Sequence, residues 1–107
     1  MDASQVIEKY EFLCALTGQM RAAAMHEEWD RLVSIEQQCS NLVAAMKPLD
    51  AQVKLDAAER RRKNQLINKI LADDAEIRNL TEARMSQLRG VMRSNLQEQR
   101  LLKTYQR

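Results

Sequence analysis

Glycine and proline are nearly missing from this chain: Gly18, Gly90 and Pro48 are the only ones in 107 residues. Those two residue types supply most tight turns, so their scarcity excludes folds built from many short strands and loops. Aromatic residues make up 4% of the chain, so any core must be built from Leu, Ile, Val, Met and Ala. No apolar run approaches the eighteen or so residues that would span a bilayer. The start, Met-Asp-Ala-Ser-Gln-Val, lacks the basic head and apolar stretch of a signal peptide, which points to a cytoplasmic protein. What remains is 45% hydrophobic and 30% charged, a globular balance for one modest domain. The expected domain covers residues 1–107.

The net charge is +2, too small to imply nucleic acid by itself. Its placement is uneven: residues 1–47 carry −3 and residues 48–107 carry +5. Apolar residues recur at three- and four-residue steps almost throughout, the period of amphipathic helices. The first expected helix runs over about 3–24, capped by Asp2 or Ser4, with Val6, Tyr10, Leu13, Thr17, Met20 and Ala24 turned inward. The second, about 28–46, has Trp29 as a packing anchor and Leu32, Ile35, Cys39, Leu42 and Met46 along its stripe. Pro48 is expected to end it, because the residue before a proline avoids helical geometry. The short link at Met25-His26 forces these two helices into an antiparallel hairpin. After a linker at 47–55, Asp56 and Glu59 have the spacing of a capping box. They open a third helix over about 56–92. A break at Gly90 and Arg93-Ser94-Asn95 is expected before a short helix over about 95–106. The fold class is therefore all-α: an antiparallel bundle of three long helices plus a short C-terminal helix.

Few groups invite chemistry. His26 is the single histidine, in a turn with no partnered nucleophile, so it reads as a solvated side chain. Cys14 and Cys39 match no metal spacing. The hairpin places them opposite each other at helix-packing distance, too far for a disulfide, as two buried reduced thiols. Asp73-Asp74-Ala75-Glu76 reads as a solvated face, and Arg60-Arg61-Arg62-Lys63 as exposed first turns or a contact for an acidic protein. No enzyme, metal or cofactor is expected. By contrast, Ile67, Ile70, Leu71, Ile77 and Leu80 form a stripe wider than one hairpin covers, and an amphipathic partner helix is what such a face binds.

Several local patterns go beyond generic helix. Residues Leu16 to Leu32 join an apolar helix end, an Ala-rich stretch and Glu28-Trp29-Asp30. Further on come Ile67-x-x-Ile70-Leu71, Ile77-Arg78-x-Leu80 and the closing Leu101-x-x-x-Tyr105. Together they resemble the FliT family of flagellar type III export chaperones over nearly the whole chain. FliT chains often have a glycine just before Glu-Trp-Asp, where this one has Glu27. The resemblance implies a cytoplasmic chaperone that holds the filament-cap protein FliD until export and prevents premature assembly. It also implies contacts with the export ATPase complex and export gate proteins, and negative regulation of the flagellar master regulator FlhDC. Ile67, Ile70, Leu71, Ile77, Arg78 and Tyr105 are the expected partner-binding residues. Leu101, Leu102 and Tyr105 form a small apolar face expected to dock as a cover competing with partners. Monomer and homodimer both stay open. The alternatives are a structural coiled-coil adaptor and a small basic regulator or nucleic-acid binder.

Overall fold

The computed structural model describes residues 2–105, with side chains through residue 91. It holds three helices: α1 (Ala3–Met25), α2 (Trp29–Asp50) and α3 (Ala57–Tyr105). Two compact units divide the chain. The first ends at Ile77 and contains α1, α2 and the opening part of α3; the second begins at Arg78 and is the remainder of α3.

Both expected start signals operate. Asp2 accepts the Gln5 N–H at 2.9 Å while the Gln5 side chain accepts the Asp2 N–H at 3.1 Å. Asp56 and Glu59 make the same reciprocal pair at the head of α3, at 2.8 and 3.0 Å. Each box satisfies donors that a helix start would otherwise leave bare.

The turn between α1 and α2 is a Schellman closure. The Glu28 N–H reaches the Ala23 carbonyl at 2.8 Å, and the Glu27 N–H reaches Ala24 at 3.2 Å. That closure requires left-handed backbone at the residue after the cap, and Glu27 sits there with φ 58°. A Cβ in this region clashes with the backbone, which is why glycine is the usual occupant. Glu27→Gly is expected to stabilise the fold by about 1 kcal/mol. Thermal melts of Glu27→Gly and Glu27→Ala check this: only the glycine variant should melt higher, and a lower melting point for it would contradict the reading.

Two boundaries depart from the sequence expectation. Pro48 does not end α2, which continues to Asp50. Proline's own φ is helical, and its missing N–H removes a single ladder bond. The extra residues are held by tertiary contacts of Asp50, described below, and the Gln52 N–H closes on the Leu49 carbonyl at 3.1 Å. Nor is there a separate C-terminal helix: α3 runs unbroken through Gly90 and residues 93–95. A lone glycine in a helix costs about 1 kcal/mol, and Ser and Asn cost less, so without proline nothing stops propagation.

Within the first unit α1 and α2 are antiparallel, and α3 runs parallel to α1, as the pairs Tyr10–Lys63 and Thr17–Asp73 show. Helix α1 therefore has two neighbours. It buries Leu16 and Ala23 in addition to the expected Val6, Leu13, Thr17, Met20 and Ala24. From α2 come Leu32, Ile35 and Met46, and from α3 Leu66 and Ile77. Trp29 is half-buried at the first position of α2, so it is not the deep anchor expected from its stripe. In the second unit Met85, Leu88 and Val91 are exposed.

Candidate functional site: an apolar cleft with charged ends

A cleft of about 510 Å³ opens along the first unit. Helix α1 contributes Leu13, Thr17 and Met20; α3 contributes Ile70 and Asp74. The α2 side is Glu36, Cys39, Ser40, Val43, Ala44 and Lys47, residues three and four apart and hence on one face of the helix. Leu13, Val43 and Lys47 also line a smaller recess of about 180 Å³ that reaches Tyr10, Met46 and Asp50. Leu13, Met20, Cys39, Val43, Ala44 and Ile70 make the aliphatic and sulfur-bearing part of the walls, and the other lining residues are polar or charged. Val43 is 42% exposed, an apolar side chain standing over the opening with no neighbour to bury it fully. Cys39 lies 3.5 Å from the Met20 sulfur, and both cysteines are free thiols, Cys14 buried and Cys39 half-buried. Burial, then the nearby Asp74 and Glu36 carboxylates, push the Cys39 thiol above its ordinary value.

Polar contacts on either side fix the walls. At one end the Tyr10 hydroxyl donates to Asp50 at 2.7 Å, and Lys63 donates to both Asp50 oxygens at 3.1 and 3.2 Å. The Lys63 ammonium also stands 5.3 Å from the Tyr10 ring centroid, within cation–π range. These three residues tie α1, the end of α2 and α3 together. Burial, followed by the hydrogen bond and the negative charge of Asp50, pushes the Tyr10 hydroxyl up to about 12. Tyr10→Phe is expected to cost about 1 kcal/mol at neutral pH, the usual worth of one such bond. The raised value means the contribution is complete below 10.0, the ordinary value, and fades as pH rises through about 12. Urea titrations of both proteins at pH 7 and pH 11 check this: the difference should narrow at pH 11, and a widening would contradict it.

Deeper in the unit, Asp73 is only 4% exposed, which corrects the reading of residues 73–76 as a solvated face. It accepts from Thr17 at 3.3 Å and from Lys69 at 3.4 Å, and stands 4.0 Å from Arg21. Arg21 pairs with Glu76 at 2.7 Å. A buried carboxylate needs such partners, and they clamp α3 onto α1. The basic run is divided in the same way. Lys63 is committed to Asp50 and Arg62 to Glu11 at 3.4 Å, while Arg60 and Arg61 are exposed.

The family model described as "Flagellar protein FliT" matches residues 7–107. The chain belongs to the FliT family. Its fold is similar to the crystal structure of flagellar protein FliT from Bordetella bronchiseptica, with a TM-score of 0.71 and 31% identity. That likeness covers 80% of this chain and 98% of the other. No curated protein matches the chain. Among the described residues no helix is long and apolar enough to cross a membrane.

The residue before Glu28-Trp29-Asp30 is the left-handed position after α1, filled here by Glu27. The residues picked from sequence do not gather at one place. Ile70 lines the cleft. Ile67 is half-buried, Leu71 is 57% exposed, and Ile77 is 7% exposed in the core of the first unit. Arg78 is exposed and opens the second unit. The side chains of Leu101, Leu102 and Tyr105 lie outside the described residues, and the expected terminal cover lies there with them. The α1 and α2 walls were missed, because Leu13, Met20 and Cys39 sit on stripes that read simply as core. The usable signal was Ser40, Val43 and Ala44, a small and apolar face just beside the α2 stripe.

Proposed function

We propose that this FliT-family protein is a cytoplasmic export chaperone. In this reading the cleft between α1, α2 and α3 holds an amphipathic helix of its client, the filament-cap protein FliD. The cleft itself carries the reading: the apolar side chains in its walls and the partly exposed Val43 offer apolar area to one helix. A helix laid in a groove is a common way for proteins to recognise peptides. Ile70 is the client contact among the residues chosen from sequence, with Leu13 and Val43 facing it. Holding that client helix would keep the cap protein from assembling early. Delivery to the export ATPase complex and gate, and restraint of FlhDC, follow as roles of the same chaperone.

Titration calorimetry with the C-terminal segment of the cap protein tests this. Saturable one-to-one binding that persists at 0.5 M salt is expected, since apolar burial is little screened. No binding would overturn the reading. Binding only to nucleic acid, with steep loss in salt, would point to the small basic regulator instead.

A further inference from the structure

A second recess, open and about 460 Å³ in volume, lies at the corner where α2 gives way to α3. It shares no lining residue with the cleft. Val53, Lys54 and Leu55 line it from the connection, and Arg60, Lys63 and Asn64 from α3. No carboxylate is among them. The two acidic residues of this segment, Asp56 and Glu59, are turned onto the helix start, each accepting the other's backbone N–H. Lys63 is neutralised by Asp50. Lys54 and Arg60 are exposed, and neither forms an ion pair among the described residues. The uncommitted charge of the recess is therefore positive. Arg60 also stands near the start of α3, where a cation opposes the helix dipole, so helix stability does not account for it. Val53 and Leu55 are half-buried and add a small aliphatic patch.

We propose that this recess is a second binding site, which takes a short acidic segment of a partner protein. Two carboxylates of the segment pair with Lys54 and Arg60, and an aliphatic side chain between them rests on Val53 and Leu55. Arg60 can take a carboxylate through two parallel N–H bonds, whereas Lys54 acts as a point charge. The lining favours a peptide over nucleic acid. A phosphate track needs many cations and stacked bases need aromatic rings, while the recess has two free cations and no aromatic side chain. Ion pairs this exposed are screened by salt, so the contact is weak and suits a partner that engages and leaves. The site is separate from the cleft, and the two can be filled at once.

The test titrates the full chain, with Val and Leu methyls labelled, with the acetylated and amidated peptide Glu-Asp-Leu-Asp-Glu. The Val53 and Leu55 signals should shift and saturate while those of Leu13 and Val43 stay in place. Lys54→Gln and Arg60→Gln should each weaken binding about two- to fivefold, the worth of one exposed ion pair. Both side chains are exposed, so these variants keep the fold. Arg61→Gln, outside the recess, should change affinity less, and the neutral peptide Gln-Asn-Leu-Asn-Gln should not bind. No saturable shift at Val53 and Leu55, equal binding of the neutral peptide, or an equal loss from Arg61→Gln overturns the site. Shifts at Leu13 and Val43 alone would put the acidic peptide in the cleft and overturn it too. Tighter binding of a single-stranded oligonucleotide at the Val53 and Leu55 methyls assigns the recess to nucleic acid and overturns the peptide reading.

Discussion

Leu16→Ala should be the most destabilising single truncation in the first unit, costing about 3 kcal/mol. Leu16 is 4% exposed on α1, the helix that has neighbours on two sides. Removing its side chain loses transfer free energy and leaves a void that rigid helices close only in part. Such a loss is a large share of the stability of a domain this size. Chemical denaturation of the variant measures it directly. A cost below about 1 kcal/mol would mean that α1 is not packed on both sides.

The second large effect concerns binding. Val43→Asp should leave stability almost unchanged, since the side chain is partly exposed on α2, yet weaken client binding at least about tenfold. The asymmetry follows from burial. In the free protein the new carboxylate stays hydrated, whereas in the complex it would lose that water against an apolar helix face. Melting curves and calorimetry on the same preparation separate the two outcomes. Unchanged client affinity would remove the α2 wall from the site.

Much of this fold can be read from residue spacing. The 3.6-residue period predicts the helices, and the Asp2–Gln5 and Asp56–Glu59 boxes start two of them. The misplaced ends have local causes. Pro48 weakens only the last turn of α2, and the bonds from Tyr10 and Lys63 to Asp50 hold that turn. Such contacts join residues forty and thirteen positions apart, so no local rule weighs them against a proline. Gly90 carries a small penalty that a long helix absorbs. The site was less legible than the fold. A stripe on one helix reveals an apolar face but not which neighbour covers it. Ile77 went to the core and Ile70 to the cleft, although they lie seven residues apart on the same face of α3. Asp73 was hidden for a related reason: its burial depends on Thr17 and Arg21 arriving from α1.

Methyl NMR during titration with the client helix bears most directly on the central claim, that the cleft of the first unit is where the client sits. With Ile, Leu and Val methyls labelled, the signals of Leu13, Val43 and Ile70 should move together and saturate at one equivalent. Shifts confined to Leu88 and Val91 in the second unit, with those three unmoved, would place the client elsewhere and contradict the account.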